Sequence, residues 1–251
     1  MKNAIVTGGT KGIGKAIAMM LLKEGYFVYA TYGNDDVAAK SARLEFLNVS
    51  DKFSIMKVNQ ADKDSVHSFA DSLKDVCLHC LVCNAGSTLR KPVVEISDSE
   101  WETVMQIGVN SHFYLIRDLM SNIQADSRII FIGSMMAVHP HATSLAYGTM
   151  KSAVHGLAMN LVKEFEGTGT TVNVIAPGFV ETEWQKEKPV VIRENICKKT
   201  AVHRFATPEE VADTAKFIIS NGFVNGAVIE VSGGYCYLCY VFVMGEMNYD
   251  L

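Results

Sequence analysis

Two spacings of apolar residues alternate along this chain. Short, nearly continuous apolar runs read as strands at 3–7, 26–31, 53–58, 78–83, 128–133, 171–176 and 227–231. Longer segments with apolar positions three and four apart read as helices near 13–24, 36–47, 63–74, 98–122, 145–166 and 208–220. Strands separated by helix-length segments imply right-handed crossovers and a mostly parallel sheet. The runs are apolar at nearly every position rather than at alternate ones, so both faces of that sheet must be covered. The pattern predicts an α/β fold: a doubly wound parallel sheet of about seven strands, helices on both faces, closed as one domain over residues 1–235. No linker, repeat or low-complexity stretch interrupts it. Residues 236–251 differ, with an apolar stretch, CYLCYVFVM, and then an acidic end. That stretch is too short to cross a bilayer as a helix. An edge strand, a cover for a neighbouring subunit and a frame artefact all fit it.

Composition narrows the setting. The 251 residues are 49% apolar and 20% charged, with net charge -4, enough mass for one large core. No basic stripe stands out, so nucleic acid is not an expected partner. No run in the first 235 residues is long enough for a membrane span. The chain enters a strand within three residues of Met1, which leaves no room for a signal peptide. Six cysteines in a chain of this length suit a reducing cytoplasm, the expected location. Cys77, Cys80 and Cys83 have C-x-x-C-x-x-C spacing, but period-two alternation puts Cys80 on the face opposite the other two. They read as small buried hydrophobes, and no metal site is expected.

The first strand ends in Thr7-Gly8-Gly9-Thr10-Lys11-Gly12-Ile13-Gly14 and runs straight into a helix. Glycines at 8, 12 and 14 permit a tight turn, backbone approach to a phosphate, and close packing of helix on strand. The helix start offers free N–H groups and a positive dipole end. A glycine-rich turn alone is a weak signal; between the first strand and first helix of an alternating chain it predicts a Rossmann-type dinucleotide site. The second strand ends Thr31-Tyr32-Gly33-Asn34, with no acid before Asp35, and Lys11 lies within reach of a 2′-phosphate. NADP(H) is therefore favoured over NAD(H). Tyr147 and Lys151 stand four apart in a helix-period segment, hence on one face, where an ammonium would favour phenolate. Ser134 follows the fifth strand, at the carboxyl edge where open α/β sheets bind ligands.

With these residues in place, the chain resembles the classical short-chain dehydrogenase/reductase family over residues 1–235. The matching elements are TGGTKGIG, Asn84-Ala85-Gly86, Ser134 thirteen residues before Tyr147, Tyr147-x-x-x-Lys151, Pro177-Gly178-Phe179-Val180-Glu181-Thr182, Arg204 with PEEVA, and Ser232-Gly233-Gly234. The nearest likeness is to 3-oxoacyl-acyl-carrier-protein reductases and related carbonyl reductases. The resemblance implies an NADP(H)-dependent oxidoreductase acting on a small ketone or secondary alcohol. In it Tyr147 is general acid/base, Lys151 holds the nicotinamide ribose, and Ser134 orients the substrate oxygen. It implies cofactor contacts from Gly8, Thr10, Lys11, Gly12, Ile13, Gly14, Tyr32, Asn59, Asn84, Ala85, Gly86, Tyr147, Lys151, Pro177, Gly178, Val180 and Thr182. It also implies a substrate lid at about 183–204 and a homotetramer built through the helices near 98–122 and 145–166.

Three positions depart from the family pattern. Gly108 stands seven residues after Trp101, where relatives carry a catalytic Asn, and Asn110 lies about 200° away from that face. Asn59 replaces an Asp near the adenine. The helix ends SNIQADS and KEFEGTGT lack the arginines that dock an acidic carrier protein. Trp184, Val190, Val191 and Ile192 either line an apolar pocket or pack the lid onto the core, and His139 and His141 read as loop residues. Gly108 and the tail also fit a non-catalytic, NADP(H)-binding regulatory or redox-sensing protein, the alternative against which the enzyme is weighed.

Overall fold

The computed structural model describes residues 1–139 and 141–235; the tail at 236–251 and the Trp184 side chain lie outside the described residues. Strands β1 (Asn3–Val6), β2 (Phe27–Tyr32), β3 (Phe53–Lys57), β4 (Leu78–Cys83), β5 (Ile123–Ile132), β6 (Thr171–Pro177) and β7 (Val228–Val231) form one sheet in the order β3-β2-β1-β4-β5-β6-β7. Every pairing is parallel. One face is covered by α1 (Gly12–Lys23), α2 (Asp36–Leu47) and α9 (Pro208–Ser220), which with Val6, Val28, Ile130 and Ile175 make one core. The other core packs α3 (Lys63–Ser72), α4 (Asp98–Met105), α5 (Ser111–Asp118) and α6 (Leu145–Glu164) against Ile5, Leu81, Phe131 and Val174. This is the single Rossmann-like, doubly wound domain that the periodicity predicts. Strand order reverses between β1 and β4, so a crevice opens above their carboxyl ends, where such sheets take ligands.

Several details differ from the expectation. The helix expected at 98–122 is three pieces: α4, a π-helical turn at Gln106–Asn110, and α5, followed by a 3-10 turn at Met120–Asn122. Ser111 donates back to the Ile107 carbonyl at 2.7 Å within the π turn, competing with the regular ladder. β5 begins at Ile123 rather than 128; its first half, QADSR, is polar and irregular, with Asp126 at φ 60°. There Ser127 donates to the Leu78 carbonyl at 3.0 Å and ties the strand to β4. The segment expected as a lid contains two helices, α7 (Glu183–Lys186) and α8 (Val190–Lys199), which the period did not reveal. Cys80 and Cys83 are buried in opposite cores, as alternation requires, but Cys77 is exposed just before β4 and is not a buried hydrophobe. Val190, Val191 and Ile192 are exposed on α8, so in this chain they neither line the cleft nor pack on the core.

Candidate active site

The glycine turn is shaped by hydrogen bonds that leave its inner face open. Gly8 takes φ +63° and Gly12 φ +54°, a region that L side chains rarely adopt. A Cβ on Gly14 would run into the Gly8 carbonyl and the Asn84 amide, so the first turn of α1 lies directly against the loop. The buried Thr7 hydroxyl accepts N–H bonds from Asn84 and Ala85, both at 2.9 Å. The Asn84 amide in turn donates to the Thr7 carbonyl at 2.9 Å and the Gly8 carbonyl at 3.2 Å. Asn84-Ala85-Gly86 is thereby locked to the turn. The N-cap of α1 is Lys11, which makes no side-chain cap, as in α5, α6, α7 and α8, whereas α2, α3, α4 and α9 are capped by Asp35, Asp62, Ser97 and Thr207. Its first N–H groups are thus not taken by a side chain of the chain itself.

Two stretches of cleft meet at this turn. Gly8, Thr10, Lys11 and Tyr32 line one, together with Gly33, Asn34 and Asp35. Ile13, Asn84, Gly86, Ser134, Tyr147, Lys151, Pro177, Gly178, Val180 and Thr182 line the other. Gly12 and Gly14 shape the turn, Gly12 lying against Thr182. Asn59 is exposed and its side-chain oxygen accepts from the Ala61 amide at 3.1 Å; it lines neither stretch. Ser87, Thr88 and Gln185 line the second stretch and carried no sequence signal. In the first stretch Lys11 is paired with Asp35 at 3.2 Å, while Asp36 takes hydrogen bonds from Tyr32 and Lys57. These pairs sit in solvent and exchange readily.

Tyr147 and Lys151 share one face of α6, the ammonium 5.9 Å from the centre of the tyrosine ring. Ser134 lies two residues beyond β5, before a 3-10 turn at Met135–Ala137, its oxygen accepting from the Met136 amide at 3.1 Å. It also hydrogen-bonds Tyr147. The expectation that Lys151 lowers the phenol pKa needs correction in this state. Burial raises the Tyr147 pKa, and the Ser134 hydrogen bond and the charge of Arg90 only partly oppose that. Burial also brings Lys151 down to about 8. Its ammonium donates to the Ile132 carbonyl at 2.6 Å. His139 and His141 are loop residues, as expected; His139 faces Glu230 at 3.7 Å.

The segment after β6 forms the outer wall. Glu181 donates its N–H to the Ala206 carbonyl at 2.7 Å, and Ala206 donates to the Phe179 carbonyl at 2.9 Å. The Glu181 carboxylate grips Arg193 of α8 with both oxygens, and the guanidinium lies 4.5 Å from the Phe205 ring. This clamp ties α8 to the segment after β6.

The chain is similar to known proteins over most of its length. A family model described as short chain dehydrogenase matches residues 2–190. A 3-oxoacyl-acyl-carrier-protein reductase of Haemophilus influenzae is 30% identical over 239 residues, covering 93% of this chain and 97% of that protein. A 2-dehydro-3-deoxy-D-gluconate 5-dehydrogenase of Pseudoalteromonas atlantica is 30% identical over 246 residues, 93% of this chain and 95% of that one. Among solved structures, a blue fluorescent protein from a metagenomic library in complex with NADPH superposes with a TM-score of 0.87 at 26% identity. It covers 94% of this chain and 98% of its own.

Proposed function

The chain belongs to the short-chain dehydrogenase family, an oxidoreductase acting on CH–OH and C=O groups, and on that footing we propose that it is NADP(H)-dependent and works on a small ketone or secondary alcohol with Tyr147 as general acid/base. The observation that carries this reading is the convergence of Ser134, Tyr147 and Lys151 on one cleft beside the glycine turn. The turn fits a dinucleotide: its glycines are where a Cβ would collide or require a positive φ, and α1 begins uncapped. NADP(H) would supply the hydride. Gly8, Thr10, Gly12, Ile13 and Gly14 would hold its phosphates, Lys11 and Tyr32 its adenosine end, and Pro177, Gly178, Val180 and Thr182 its nicotinamide half.

Tyr147 stays protonated near neutral pH because burial disfavours the phenolate. A buried phenol beside a hydrogen-bonding serine is a proton donor for a ketone oxygen, and in reverse its phenolate accepts from an alcohol. Ser134 orients the substrate oxygen. Lys151 contacts the cofactor ribose and, by its charge, eases loss of the tyrosine proton as it is delivered. Relatives act on carrier-bound acyl groups and on a free sugar acid; without docking arginines at its helix ends, this chain takes a free small molecule. Phe113 on α5 and Met159 on α6 are exposed apolar side chains, which supports a homotetramer built through those helices; the setting inferred is the cytoplasm.

The test is NADPH oxidation with a panel of ketones, run beside NADH. Tyr147→Phe should remove all but about a thousandth of the rate while NADPH still binds. Undiminished turnover in that variant sinks the assignment. Tight NADPH binding with no turnover on any ketone or alcohol selects the regulatory reading instead.

A further inference from the structure

Lys151 is 4% exposed, and among the described residues its one hydrogen bond is to the Ile132 carbonyl. A buried ammonium has three N–H donors and needs more than one acceptor. The nearby interior holds an unused acceptor. His112, on α5, is 1% exposed, and neither of its ring nitrogens has a hydrogen-bond partner among the described residues. Its ring stands edge-on to Phe131, the centres 6.0 Å apart, next in chain to the Ile132 whose carbonyl holds Lys151. Fully buried polar nitrogens left without partners are rare, and an internal water is their usual complement.

Gly108 explains why this residue, and not the one a turn earlier, is the candidate. A Cβ at 108 would collide with the Met150 sulfur, so Met150 of α6 fills with apolar volume the place where an amide would project. The next polar side chain on that wall, one turn along, is His112. Burial and the Lys151 charge hold it down to about 3, so the ring is neutral, with one nitrogen protonated and one bearing a lone pair. The Gly108 carbonyl, one turn back, makes no full hydrogen bond to the ring but biases a proton toward it. The other titratable groups around the ammonium are Tyr147 and His155 on its own helix. His155 Nε2 already lies 3.5 Å from the Ser134 amide, and Arg90, from the loop after β4, bears on Tyr147.

We propose that His112 is a positioning residue for Lys151: its neutral imidazole, across one internal water, gives the buried ammonium a second acceptor and keeps it charged and directed at the ribose and Tyr147. The proposal rests on the catalytic reading above, with Lys151 as the partner of Tyr147.

The experiment follows the Lys151 side chain by its labelled ε-carbon and the histidine rings by nitrogen-15, in the full chain with and without NADPH. In wild type the His112 ring should stay a single neutral tautomer from pH 5.5 to pH 9, a window set around the ordinary histidine range near ~6.5. Replacing His112→Leu should lower the Lys151 titration by about one pH unit, because the charged form loses an acceptor. The alkaline fall of ketone reduction should move down by the same amount. His112→Gln, whose amide oxygen accepts, should restore most of that shift. An unmoved titration and pH limb in His112→Leu, even with a lower rate, overturns the proposal. If that variant does not fold, the wild-type ring and His112→Gln decide: an imidazolium near neutral pH, or a mixture of tautomers, overturns it equally. Full activity in Tyr147→Phe would sink the catalytic reading alone, since the Lys151 titration is read without turnover.

Discussion

The glycine turn and the segment proposed as the lid are held by different means. Around Gly8 and Gly14 the constraints are backbone shape and buried side-chain ties to backbone: positive φ at Gly8 and Gly12, a carbonyl that a Cβ on Gly14 would strike, and the Thr7 hydroxyl and Asn84 amide bonded to main-chain groups. Over the cleft, α7 and α8 are fastened by side chains, chiefly the Glu181–Arg193 clamp, with Val190, Val191 and Ile192 facing water. A backbone-built region tolerates almost no substitution because no rotamer can relieve it. A side-chain-built region can loosen, admit a molecule and close again. The division suits a protein whose dinucleotide is constant and whose other substrate must come and go.

The contrast is broken most severely at Gly14→Ala. The added methyl group meets the Gly8 backbone and the Asn84 amide that is itself bonded to that backbone, so stability should fall by about 3 kcal/mol and NADPH binding should vanish. Denaturant titration and NADPH fluorescence read both, and a variant that binds normally would refute the backbone account. On the lid, Arg193→Ala should cost little stability. The pair is partly exposed, about 28% and 31% for its two side chains, and worth about 1 kcal/mol at most. That is about a fivefold rise in KM for the ketone, with kcat changed less, and an equal fall in kcat would show that the clamp serves chemistry rather than access. The smallest effect belongs to Lys11→Ala at the outer edge of the turn. The preference for NADPH over NADH should shrink a few-fold at low salt, and the difference should fade at high salt because the site is exposed. An unchanged preference would assign the 2′-phosphate to other groups.

The same contrast explains what the sequence disclosed. The strands, the glycine turn and the Tyr147–Lys151 face were legible because each rests on local periodicity or on a residue type with few other uses. β5 was placed late because its first half is polar and pinned by Ser127 to a strand far away in sequence. The lid helices were missed because α8 buries only Ile196, leaving no apolar stripe to read. The π turn, the burial of His112 and the filling of Gly108 by Met150 are products of packing between helices about forty residues apart, which no window along the chain contains. Burial likewise decided the direction of the Tyr147 pKa, which spacing alone had assigned to its neighbouring charge.

The parallel sheet has a consequence for the birth of the protein. β1 pairs with β4, whose residues follow it by more than seventy positions, and Gly12 lies against Thr182. A nascent chain therefore carries the glycine turn long before anything exists to brace it. Only when β6 and the stretch ending at Thr182 have left the ribosome does the cleft have both walls. Until then the exposed apolar edge of β1 is an invitation to mispair, and a bound dinucleotide cannot help. Folding of this chain is expected to finish late and all at once, and to depend on chaperone cover through nearly the first three-quarters of synthesis.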